Sequence, residues 1–184
     1  MKGMKSAMYE KKMIEYQDAV KEVRKACRQF AMLYFHFTKV LVEELGKDRA
    51  KPLIQKAIFE LAVDRSDQLR EKAIKEGLPC TMETFMKISD LPLIGWVREL
   101  GRNHCPYAET WFRYFEEYPW FKEIAPLYCD VIDTTNAENF TRHLSHKITK
   151  NVLTGGESCE REYFASEQVS KGVFSYGEKN SQKR

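Results

Sequence analysis

The feature that most limits how this chain can fold is a set of apolar residues at helical spacing near its start. Val20, Val23, Cys27, Phe30, Tyr34, Phe37 and Leu41 recur at alternating three- and four-residue steps, one stripe of a long helix. Gly46, in "ELGKD", is a stop for that helix, and Asp48 is suited to cap the next. The second helix carries Leu53, Ile54, Ala57, Ile58, Leu61, Ala62 and Leu69 on one side and ends at Gly77. Thr81 can cap a short third helix, "METFMKI", which "SDLPLIG" terminates.

From residue 94 the pattern changes. "IGWVRELGRNH" reads as a strand, Pro106 opens a helix-like run, "PWFKEIAPLYC" gives another short helix, and "DVIDTTNAENFTR" reads as a loop. The clearest β signal is "HKITKNVLTGGESCEREYF", in which Gly155-Gly156 separates two β-rich runs as a two-residue hairpin turn does. Helices first and antiparallel strands later imply an α+β fold, with long N-terminal helices packed on a small antiparallel sheet that includes a C-terminal hairpin. Residues 1–167 are expected to form one domain, and 168–184 a tail of weak patterning.

A turn centred on Gly155-Gly156 sets the expected register: Val152 faces Cys159, Lys150 faces Arg161 and Ile148 faces Tyr163, all on one face. That face should point inward, yet it sets two like charges opposite each other. Either both side chains reach the rim through their apolar stems, or they share an anionic group such as a ligand carboxylate.

Charge narrows the function classes. The 30 basic and 27 acidic residues are interspersed, with no basic stripe of the kind nucleic-acid binders present. The most apolar run, "AMLYFHFTKVLV", falls short of the ~20 residues needed to cross a bilayer. The opening "MKGMKSAMYEKKMIEY" lacks the apolar core of a secretory signal. No nucleic acid, no membrane and a cytoplasmic location are therefore expected. Five cysteines without a CxxC pair suit reduced thiols better than a disulfide framework.

Cys105 is the most pointed of the five. Proline favours the first position of a helix, so Pro106 makes Cys105 the N-cap, near free backbone N–H groups that stabilise a thiolate. The alternative is a small buried hydrophobe, the usual state of a free cysteine. Cys105, His104, Cys129 and Cys159 have the ligand types for zinc but lack its short ligand pairs, so no metal is expected. Tyr107, Trp111, Phe115 and Tyr118 lie at helical spacing, as core or as pocket wall. His36 is expected in the core or a pocket, and His143 and His146 in solvent. Asp130 is either a general base or a solvated carboxylate at the start of a loop.

The series "HCPYAETW", "LYCD" and "TKNVLTGGESCEREYF" resembles the L-2-amino-thiazoline-4-carboxylic acid hydrolase family, with Cys105, Cys129, Asp130, Thr149, Gly155-Gly156 and Cys159 on its pattern. The Asn-Pro step of relatives is absent here, since "NFTRHL" follows Asn139 with Phe140. The resemblance implies a cofactor-independent hydrolase that opens a small cyclic amidine or isothiourea carboxylate, such as 2-aminothiazoline-4-carboxylate. It implies water or thiol attack at the amidine carbon by a cyclic amidine C–N hydrolase. Cys105, Cys129 and Asp130 would carry the catalysis. His104, Tyr107, Glu109, Lys150, Arg161 and Cys159 would bind the carboxylated substrate, and the sequence leaves homo-oligomerisation open. The C-terminal part is also similar to vinyl-reductase-type sensory domains, which implies the alternative of a non-catalytic small-molecule-binding module.

Overall fold

The computed structural model describes residues 13–165, so the expected tail lies outside the described residues. Helix α1 spans Tyr16–Leu45 and helix α2 spans Lys47–Lys75. Gly46 alone separates them; its φ of 78° is the left-handed turn expected of glycine, and its N–H bonds the Val42 carbonyl. Asp48 sits inside the first turn of α2, not at its cap, where its charge still complements the helix dipole.

The buried row of α1 is Val20, Cys27, Ala31, Phe35 and Thr38, rotated from the stripe expected from spacing alone. Phe35 is 1% exposed, whereas Phe37 is 65% exposed. In α2 the buried row is Ala50, Ile54, Ile58, Ala62, Ser66, Leu69 and Ala73. Small residues recur in these rows and let the backbones approach, which outweighs the larger side chains beside them. The short helix α3, Met82–Ile88, is capped as expected by Thr81, whose hydroxyl accepts the Thr84 N–H.

Residues 93–103 are not a strand. They form two 3-10 turns, Leu93–Gly95 and Arg98–Asn103, held by one side chain. Arg24 of α1 donates to the carbonyls of Gly95 (2.6 Å), Asn103 (2.8 Å) and His104 (3.1 Å). One guanidinium thus takes carbonyls that a sheet neighbour would otherwise satisfy. A side chain at Gly95 would put its Cβ 2.6 Å from Val23 Cγ1, so the turn needs glycine to lie against α1.

Helix α4 is Pro106–Trp111, and helix α5 runs Phe121–Thr141. The expected loop at 130–142 is therefore the second half of a 21-residue helix. Its Thr and Asn residues are poor helix formers by themselves. Here Thr135, Asn136, Asn139 and Thr141 are buried. Asn139 Nδ2 donates to Ser66 Oγ (2.8 Å) and Asp67 Oδ1 (2.7 Å), and Arg70 donates to the Phe140 carbonyl, so polar side chains bind α5 to α2. Arg142 ends the helix at a φ of 67°.

Strands β1, Leu144–Lys150, and β2, Glu160–Ala165, form one antiparallel hairpin. Its register corrects the expected one: Lys150 faces Glu160, Ile148 faces Arg161 and His146 faces Tyr163, with an irregularity between Ile148 and Lys150. The cause is the connection. Val152–Thr154 is a 3-10 turn whose start is capped by Asn151 Oδ1, which accepts the Leu153 N–H at 2.9 Å. Val152 and Leu153 are buried in the main core instead of alternating along a strand. The architecture is mostly helical with one hairpin, an α+β fold as expected. Helix α5 lies between: α2 and β1 both pack on it. At the centre, Trp111 is fully buried and its Nε1 donates to the Ala31 carbonyl at 2.9 Å.

Candidate active site

Cys105 is the N-cap of α4, with φ −84° and ψ 119°, and Pro106 follows at the first helical position, as expected. Of the two readings of this thiol, its ionisation follows the buried one. Burial pushes the thiol up to about 11, more than the neighbouring backbone N–H groups of Ala108 and Tyr107 lower it. Cys129, on α5, also lies well above the ordinary thiol range, first through burial and next through Asp133 one turn on. Both sulfurs are therefore uncharged thiols at neutral pH.

Cys105, Cys129 and Cys159 pack in one core cluster, and each is near enough to another for its charge to be felt. Arg161 stands beside Cys129 and Cys159. Its Nε and Nη2 lie 2.7 and 2.6 Å from Asp133 Oδ2. Asp133 is also 3.9 Å from His146 Nε2, and His146 Nδ1 is 3.0 Å from Thr134 Oγ1. His146 is 6% exposed, correcting the expectation of a solvated side chain, because this position of β1 turns towards α5. Among the described residues its Nε2 has no hydrogen-bond partner, and burial lowers its pKa. His36, expected inside, is exposed on α1 beside Tyr114.

The other sequence-derived candidates are spread around this group. Glu109 is ion-paired with Arg24 at 2.6 Å. His104 Nδ1 lies 3.0 Å from the Gly101 carbonyl. Tyr107 is half-buried among the rings of Phe30, Trp96, Trp111 and Tyr128. Lys150 holds Glu160 at 2.8 Å on the surface.

Asp130 and Lys150 share an open cleft of about 330 Å³ between α5 and the hairpin, together with Thr149, Asn151 and Thr154. Partial burial raises the Asp130 pKa, and the nearby Asp133 raises it further. No cysteine lines this cleft. It offers a carboxylate of increased basicity, a cation and hydroxyl or amide groups, a set suited to a small zwitterion.

Sequence reasoning missed Asp133, His146 and the Arg65–Asp90 pair, whose two contacts are 2.8 and 2.6 Å. The Cys129–Asp133 spacing of one turn carries meaning only once 130–142 is helical. Among the described residues no three His, Cys, Asp or Glu side chains are grouped to hold a metal ion, and no helix is long and apolar enough to cross a membrane.

Comparison with curated proteins and with solved structures gives no match. Residues 26–163 match the family model described as L-2-amino-thiazoline-4-carboxylic acid hydrolase. That span runs from within α1 into β2 and contains the thiol cluster, the Asp133–Arg161 pair and the Asp130–Lys150 cleft. On that match, this chain belongs to the L-2-amino-thiazoline-4-carboxylic acid hydrolase family.

Proposed function

We propose that the protein hydrolyses a small cyclic amidine bearing a carboxylate, of the 2-aminothiazoline-4-carboxylate type, with water as the nucleophile. The observation that carries this reading is the pairing of Asp130 and Lys150 across one cleft. The Lys150–Glu160 pair is exposed and screened by solvent, so the lysine is readily transferred to a substrate carboxylate. Asp130 provides the negative partner that an amidinium requires, while Asp133 is neutralised by Arg161.

In the reaction, water attacks the amidine carbon and gives a proton to Asp130. The ring C–S bond then breaks as the adduct's hydroxyl becomes the carbonyl and releases its proton to solvent; the C–S electron pair stays on sulfur, to which Asp130 returns the first proton. One water is consumed, and the product is a carbamoylated amine with a free thiol, N-carbamoyl-cysteine for the named substrate. Atom balance thus moves the broken bond from C–N, as read from the sequence, to C–S. Of the two routes, thiol attack is the less supported, because burial keeps Cys105 and Cys129 protonated. Those thiols are assigned to the packed core. Charged groups in the cleft also favour a hydrolase over an apolar sensory pocket.

The test is incubation of the purified chain with 2-aminothiazoline-4-carboxylate, following by mass spectrometry a product heavier by one water. Asp130→Asn should lower kcat by ~10²–10⁴-fold, the usual worth of a general base. Lys150→Met should raise KM, and Cys105→Ala and Cys129→Ala should keep kcat. No turnover by the parent chain sinks the reading; loss of turnover on removing either thiol, in a folded variant, returns the attack to sulfur.

A further inference from the structure

A larger hollow of about 880 Å³ shares Thr154 with the Asp130–Lys150 cleft. It is bounded by the residues after α4, the start of α5 and the hairpin connection. Phe112 and Phe115 give it flat apolar walls, and Arg102, Lys122 and Glu116 surround them. The Arg102 guanidinium lies over the Phe112 ring, 4.9 Å from its centroid. Four cations that bridge separate parts of the fold are ion-paired, Arg24 with Glu109, Lys47 with Glu123, Arg65 with Asp90 and Arg161 with Asp133, and Arg70 donates to the Phe140 carbonyl. Among the described residues neither Arg102 nor Lys122 has a carboxylate partner.

We propose that this hollow is a second ligand site, which binds a small organic anion with a flat apolar body, an aryl carboxylate or sulfonate. Two cations against one carboxylate leave the rim net positive, so the ligand's charge is negative. Phenyl faces select a planar apolar partner, and a guanidinium already stacked on a ring loses little freedom when it takes an anion. The volume lies within the ~300–1,000 Å³ range of small-molecule sites. Glu116 disfavours dianions and accepts a donor on the ligand body. Because the cations are exposed, binding weakens with salt. The site does not depend on the hydrolase reading, since it shares neither Asp130 nor Lys150.

The probe is 8-anilinonaphthalene-1-sulfonate, titrated by fluorescence into the full chain at low and high salt. The double variant Arg102→Gln/Lys122→Gln should bind it about tenfold more weakly. Lys147→Gln, which lies elsewhere, should bind as the parent does, and Arg102→Lys, which keeps the charge but loses the stacked guanidinium, should fall between the parent and the double variant. The uncharged analogue N-phenyl-1-naphthylamine should bind more weakly and without salt dependence. Both substituted side chains are exposed, and circular dichroism checks that the variants fold. Unchanged affinity in the double variant, or equal affinity for the uncharged analogue, overturns the proposal. Either result would mean that the probe rests on apolar surface such as Leu33, Phe37 and Val40 of α1.

Discussion

Replacing Trp111 with Phe tests the account of the core most directly. The indole is fully buried, its ring contacts include Tyr34, Tyr107, Phe121 and Tyr128, and its N–H joins α4 to α1 through the Ala31 carbonyl. Phe keeps most of the ring contacts and removes roughly 40 Å³, which at about 24 cal/mol per Å³ costs ~1 kcal/mol. The lost hydrogen bond costs about 1 kcal/mol more, since the Ala31 carbonyl retains its place in the helix ladder of α1. The sum is ~2 kcal/mol, or about 4–8 °C in Tm for a chain of this length. Urea unfolding followed by far-UV circular dichroism should show a lower midpoint with an unchanged slope. A loss below about 0.5 kcal/mol would be surface-like behaviour and would refute the placement of Trp111 at the centre.

Further outcomes follow from the charges. Burial lowers the His146 pKa below its ordinary 6.5, so the folded chain binds fewer protons than the unfolded one; stability should be full above that pH and fall as pH drops through it. His146→Gln should flatten this limb in pH-dependent melts, and an unchanged limb would remove His146 as its source. For Asp130 the sign reverses: its folded pKa is raised, so its charge weakens the fold as pH rises through the carboxylate range. Asp130→Asn should therefore raise Tm slightly at neutral pH while lowering activity, and a fall in Tm would contradict the raised pKa. Arg24→Met removes bonds to three carbonyls and the Glu109 ion pair, a loss of about 2–3 kcal/mol, and should speed hydrogen exchange of residues 95–104. Unchanged exchange there would show that Arg24 does not hold the segment.

Local chemistry made part of the fold legible. The ends of α1 and α2 at Gly46 and Gly77, the Thr81 cap and the Cys105–Pro106 helix start all depend on backbone angles or caps within a few residues. The second half of α5 was hidden, because Thr135, Asn136 and Asn139 lower helix propensity in isolation. They become helical when α2 receives their side chains. Residues 94–104 likewise alternate like a strand, but Arg24, some 70–80 residues earlier in the chain, takes their carbonyls. The candidate site was legible as residue types: the thiols, Asp130, Lys150 and Arg161. Its grouping was not. The charge opposition of Lys150 and Arg161 vanished once Val152 and Leu153 turned into the core and shifted the strand pairing.

The sequence by itself determined the helical start, the late hairpin, the order of the cysteines and hence the family, since each is written in neighbouring residues. Tertiary structure alone decided which stripe of α1 is buried, that the thiols stay protonated and that Asp130 shares a cleft with Lys150. Those outcomes depend on burial and on charges distant along the chain, and desolvation is a property of the packed molecule, not of any one segment.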